Sequence, residues 1–135
     1  MIPDDRFYTI QHLWIRPDEA QVEIGVAEPL LWRLGPIISV ELLDADDEMK
    51  LELPFGELEC AEETYQLYPP IEACITEVND ELIWNHVKIA EDPYGKGWLI
   101  RLRMEDQRDL HQLFMPASLY RKFCVENLGE ESVEE

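Results

Sequence analysis

The chain has 135 residues, enough for one domain with a single sizeable core, and its 46% hydrophobic content is that of a globular protein. Thirty acidic residues against 11 Lys and Arg give a formal net charge of −19 at pH 7, which argues against nucleic acid or an anionic membrane as partner and favours a basic protein surface. The three cysteines, Cys60, Cys74 and Cys124, are odd in number and lack Cys-x-x-Cys spacing, so they imply neither a disulfide framework nor a zinc site.

No apolar run reaches membrane-spanning length, and Met1 to Phe7 carries Asp4 and Asp5 rather than a basic region before an apolar one. A soluble protein in a reducing, cytoplasmic compartment is expected. Residues 1–128 are expected to form one domain, and 129–135 an acidic, disordered tail.

From Arg6 to Ile15 the chain is rich in β-formers, and Pro17-Asp18 closes the segment. Val22, Ile24 and Val26 alternate with Gln21, Glu23 and Gly25, the period of a half-buried strand. Glu28-Pro29 opens a short helix that Gly35 stops, and a strand is predicted over Ile37 to Leu42. Asp44, Asp46, Asp47 and Glu48 lack the order of an EF-hand loop and read as a solvated turn.

The stretch from Gly56 to Pro70 reads as an exposed hairpin. A strand-like run from Leu53 through Phe55 to Cys60 leads in, and a second through Leu67, Tyr68 and Ile71 to Val78 leads out. Ala61, Glu62, Glu63 and Thr64 suit a solvent-facing turn, and Pro69-Pro70 stiffens the exit.

Beyond it, Asn79-Asp80-Glu81 reads as the cap and first turn of a helix to Trp84. Glu91 to Trp98, the string EDPYGKGW, predicts a tight turn on Pro93, Gly95 and Gly97 with Tyr94 and Trp98 packed on either side. A strand over Leu99 to Met104 follows, then helices over Asp106 to Phe114 and Pro116 to Asn127. Trp32 and Trp84 are expected in the core, as are Cys74 and Cys124.

These residues resemble the glycine cleavage system H-protein family, small lipoyl carriers. The family's hairpin pattern is Gly-x-Val-Glu-Ser-Val-Lys-Ala-x-Ser-Asp-Leu-Tyr-x-Pro, and Gly56, Glu59, Leu67, Tyr68 and Pro70 fall in register with it. Tyr8, Thr9, His12 and Trp14 match a second family string, and EDPYGKGW is the most specific match of all. The resemblance covers about residues 7 to 128. It implies a mainly β, lipoyl-domain-like barrel-sandwich hybrid of two small antiparallel sheets, with peripheral helices and a helical C-terminus.

The position of the family's lipoyl-lysine is occupied by Glu62. In the family lipoate is joined by an amide to the lysine amine, and a carboxylate cannot act as that nucleophile. Lys50, Lys88, Lys96 and Lys122 all lie outside the hairpin. The expected protein is thus a non-catalytic, H-protein-like binding or structural module with no cofactor. Its implied partners are glycine cleavage or lipoate-handling enzymes, met by Glu59, Glu62 and Glu63 at the tip.

Two alternatives stay open. One is a true lipoyl or aminomethyl carrier using another attachment residue, with Lys50 the least remote. The other is a thiol-based protein using Cys60, although Glu59 and Glu62 beside it are expected to raise its pKa. His12, His86 and His111 have no second ligand at metal spacing, and His12 beside Trp14 suits a structural hydrogen bond. No nucleophile-elbow, P-loop, dinucleotide or zinc-protease motif is present, so no catalytic set is expected.

Overall fold

Alternating apolar residues and polar turns give short strands that associate into separate sheets. The computed structural model describes residues 2–128. In chain order the elements are β1 (Phe7–Tyr8), β2 (Leu13–Asp18), β3 (Gln21–Val26), α1 (Glu28–Leu34), β4 (Ile37–Leu42), β5 (Gly56–Cys60), β6 (Thr64–Leu67) and β7 (Ile75–Val78). A 3-10 turn at Asp80–Ile83, α2 (Lys88–Glu91), β8 (Ile100–Arg103), α3 (Leu110–Leu113) and α4 (Ala117–Leu128) complete the described chain.

One sheet has five strands in the order β1-β2-β3-β8-β7, and the other has three in the order β4-β5-β6. Every pairing between strands is antiparallel. This is the expected mainly β architecture of two small sheets with peripheral helices and a helical C-terminus.

The apolar faces meet in one core. Ile15, Val22, Ile24, Ile100 and Leu102 from the larger sheet pack in the same cluster as Val40, Leu58 and Leu67 from the smaller, with Leu30, Leu31 and Leu34 of α1. Each such side chain, when fully buried, contributes about 1.5–3 kcal/mol, so this layer holds the sheets together. A second cluster, with Tyr8, Trp14, Ala27, Tyr120 and Cys124, fastens α4 over β1. Tyr8 and Tyr120 stack there with ring centroids 4.6 Å apart. Gly25 lies opposite Trp14 in the ladder, and a Cβ at Gly25 would collide with the indole ring.

Several sequence expectations are corrected. The run into the hairpin becomes strand only at Gly56, and the run out is split: its strand is β6, ending at Leu67, while Ile75–Val78 belongs to the other sheet. Pro69 and Pro70 cannot donate to a ladder, and the chain crosses between sheets there. The expected helix over Asp106 to Phe114 is only the single turn α3, and α2 was not anticipated.

Asn79 does not cap a helix with its side chain. Its amide is turned inward and donates to the carbonyls of Lys96 and Trp98 at 2.9 and 2.8 Å. Trp32, Trp84 and Cys74, expected in the core, are all exposed. Cys74 precedes β7 in an isolated bridge to Glu48 at the sheet margin, and Trp84 follows a 3-10 turn that buries only Leu82.

Asp44 to Glu48 form an exposed turn in which the Asp47 carboxylate accepts the Asp44 N–H at 2.8 Å. Among the described residues no helix is long and apolar enough to cross a membrane. The tail expected at 129–135 lies outside the described residues.

Candidate functional site

β5 and β6 are held in register with Gly56 opposite Leu67, Leu58 opposite Tyr65 and Glu59 opposite Thr64. The Cys60 N–H donates to the Glu63 carbonyl at 2.8 Å, so the chain reverses over Ala61 and Glu62 alone, both exposed. The turn is tighter than expected, with Thr64 already in the ladder opposite Glu59.

Alternation along the hairpin decides what faces outward. Leu58, Cys60 and Leu67 are buried, whereas Glu59, Glu62 and Glu63 are exposed. The Glu59 carboxylate accepts from the Ser39 hydroxyl at 2.7 Å, and Glu57 accepts from the Gln66 amide at 2.8 Å. The candidates Glu59, Glu62 and Glu63 are all exposed around the hairpin turn, with Glu59 braced by β4.

Cys60 is 5% exposed. Burial pushes its pKa up, and the Glu63 and Glu59 carboxylates push it further. The second carboxylate is Glu63, where the sequence suggested Glu62, because Glu63 closes the turn on Cys60. Such a thiol is a poor nucleophile.

What flanks the hairpin has no signal in the local pattern. Arg33, on α1, lies with its guanidinium carbon 6.0 Å from the centre of the Tyr65 ring, and the Tyr65 hydroxyl donates to the Gln11 carbonyl at 3.3 Å. α1 uses Pro29, Leu30, Leu31 and Leu34 for burial, which leaves Trp32 and Arg33 on its outer side. Only the helical period of those four residues could have predicted this.

The EDPYGKGW turn positions α1. Ala27 offers no capping side chain, and the Tyr94 hydroxyl accepts the Glu28 N–H at 2.9 Å in its place. The turn itself is tied to β2 by the Trp14 indole, which donates to the Pro93 carbonyl at 3.0 Å. Arg6 sits 4.6 Å over the Trp14 ring and donates to the Tyr94 carbonyl at 3.0 Å. A Cβ at Gly97 would come within 2.6 Å of the Lys88 carbonyl oxygen, so close backbone approach requires glycine there.

His12 completes this side. Its Nδ1 shares a 2.7 Å hydrogen bond with the Tyr120 hydroxyl, and burial, helped by Arg33, lowers its pKa to about 4.

Lys50 is exposed in the connection between β4 and β5, where its carbonyl accepts the Leu53 N–H at 3.1 Å. That connection leaves from the end of the ladder where Leu42 pairs with Gly56, the end opposite the tip. No three His, Cys, Asp or Glu side chains among the described residues gather into a cation site.

The model of the family described as "Glycine cleavage H-protein" matches residues 6–127. The chain belongs to the glycine cleavage H-protein family. It is 31% identical over 122 residues to the glycine cleavage system H protein of Oceanobacillus iheyensis, covering 90% of this chain and 96% of that one. It is 36% identical over 109 residues to that of Rubrobacter xylanophilus, covering 81% and 86%. The fold is similar to the crystal structure of a glycine cleavage system H protein from Mycobacterium marinum, with a TM-score of 0.78 at 28% identity, covering 93% of this chain and 98% of that one.

In this H-protein the matching hairpin residues Gly56 and Leu67 face each other across the ladder. The tip between them carries a carboxylate, Glu62, and no amine.

Proposed function

We propose that this H-protein acts without lipoate, as a non-catalytic binding or structural module for glycine cleavage or lipoate-handling enzymes. The single observation carrying this reading is the Glu62 carboxylate at the exposed tip of the hairpin. Lipoate attachment needs an amine nucleophile, and the residues at this tip do not fit that group. Lys50, at the other end of the ladder, is not a substitute held in the same geometry.

The acidic tip supports a partner with a basic surface. Glu59, Glu62 and Glu63 are all exposed around the turn, and their charge steers encounter with a complementary face more than it fixes affinity. The three unpaired thiols support a reducing compartment, in keeping with a cytoplasmic protein.

The test is direct binding to the purified aminomethyl-transferring enzyme, glycine decarboxylase, dihydrolipoyl dehydrogenase and a lipoate ligase. At least one should bind, and a variant with Gln at 59, 62 and 63 should bind it more weakly and with less dependence on salt. No binding to any of the four enzymes, or equal binding by the variant, overturns the proposal.

A further inference from the structure

At the far end of the β4–β5 ladder from the acidic tip lies a second surface. A cavity of about 310 Å³ opens there between β4 and the 3-10 turn, with Val40, Leu42, Val78 and Leu82 among its lining side chains. Ile83, at its edge, is 65% exposed, and Trp84 next to it is 77% exposed. Ile83 at the rim and Trp84, the next residue along the chain, are large apolar side chains standing in water, and they form an unpartnered patch at a hollow of mixed apolar and acidic lining.

The charge around this patch is of one sign. Glu41, Asp44 and Asp80 line the cavity and Glu81 is exposed beside it, while no lysine or arginine is among the lining residues. The nearest cation along the chain, Lys88, is paired with Glu91 at 3.4 Å. An isologous contact with a second copy would bring these carboxylates against their own equivalents.

We propose that the Ile83–Trp84 patch and its cavity form a docking surface for a basic amphipathic segment of a partner protein. Its apolar side chain would fill the cavity beside Trp84, and its lysines or arginines would meet Glu41, Asp44, Asp80 and Glu81. An exposed Trp, here following a pocket-lining residue in the chain, is the residue type that anchors such interfaces. This surface is independent of the hairpin reading, since Leu42 pairs with Gly56, away from Ala61 and Glu62.

The probe is a synthetic helical peptide of about 14 residues with Leu on one face and Lys on the other, titrated into the isotope-labelled full chain and followed by amide chemical shifts. A peptide with Glu in place of Lys and one with Ser in place of Leu are the controls. The proposal expects shifts concentrated at residues 40–44 and 78–87, with neither control binding. Trp84→Ser should weaken binding by about tenfold or more. Asp80→Asn with Glu81→Gln should weaken it and reduce its salt dependence.

Shifts centred on the hairpin tip, or binding unchanged by Trp84→Ser, would overturn the proposal. So would a concentration-dependent dimer abolished by the same substitution, since it would assign the patch to a second copy. Trp84 lies at an exposed turn, and an unchanged amide spectrum of Trp84→Ser before titration verifies its fold.

Discussion

Arg101 and Glu23 face each other across β8 and β3, with a guanidinium nitrogen 2.9 Å from the carboxylate. The other oxygen of Glu23 holds Arg16 on β2 at 3.1 Å, and Arg101 reaches on to Glu77 on β7 at 2.6 Å. One row of alternating charge thus crosses four strands, with the Glu23 side chain 6% exposed at its middle. Trp98 backs the row, its ring centre 3.9 Å from the Arg101 guanidinium carbon.

Glu23→Ala should therefore destabilise the fold. The loss expected is about 1–3 kcal/mol, below that of a wholly buried pair because both arginines remain about one-third exposed and can be rehydrated. Urea unfolding monitored by circular dichroism measures it, and Glu77→Ala, at the solvent end of the row, should cost less. Equal losses for the two would show that burial of Glu23 is not what matters.

His12 gives the stability a pH dependence of known sign. Its folded pKa, about 4, lies below the ordinary value of 6.5, so the neutral ring is favoured in the fold. Its contribution is complete above about pH 6.5 and is lost as pH falls through about 4, amounting to roughly 3 kcal/mol at most by linkage. His12→Asn, which tolerates the positive φ of 68° at this position, removes that titration. The difference in unfolding free energy between the natural chain and the variant should shrink from pH 7 to pH 4. A difference independent of pH would contradict the assignment.

Thiol reactivity separates the cysteines. Cys74 is exposed, whereas Cys60 and Cys124 are buried with their pKa values raised chiefly by burial. Iodoacetamide at neutral pH should label Cys74 first, with peptide mapping as the readout. Selective labelling of Cys60 would revive a thiol-based function at the hairpin.

Strands β3 and β4 and the hairpin were legible because their patterns and bounding turns are local signals. The single β-rich run expected over Arg6 to Ile15 is instead broken into β1 and β2 by a turn in which the His12 N–H donates to the Thr9 carbonyl. Pro17-Asp18 lies within β2 rather than closing it. The tip was also legible, since the matching residues Gly56 and Leu67 fix the register that leaves Glu62 exposed. Asn79 was misread because a cap is a local inference, whereas its amide serves carbonyls of residues far along the chain, Lys96 and Trp98. Arg33 beside Tyr65 and Ile83 at the β4 cavity depend on how α1 and the 3-10 turn lie against the sheets, which no local pattern encodes. Hydrophobicity alone placed both exposed tryptophans in the core; the packing of Leu31 and Leu82 shows which side of each element was needed there.

Whether Glu62 bars lipoate attachment can be read from the intact mass of the protein. The natural chain and a Glu62→Lys variant would each be co-expressed with a lipoate ligase in the presence of lipoate, then weighed by mass spectrometry. The natural chain should stay unmodified, and the variant should gain one lipoyl group. A natural chain that gains the lipoyl mass would contradict this, and peptide mapping would then locate the attachment residue.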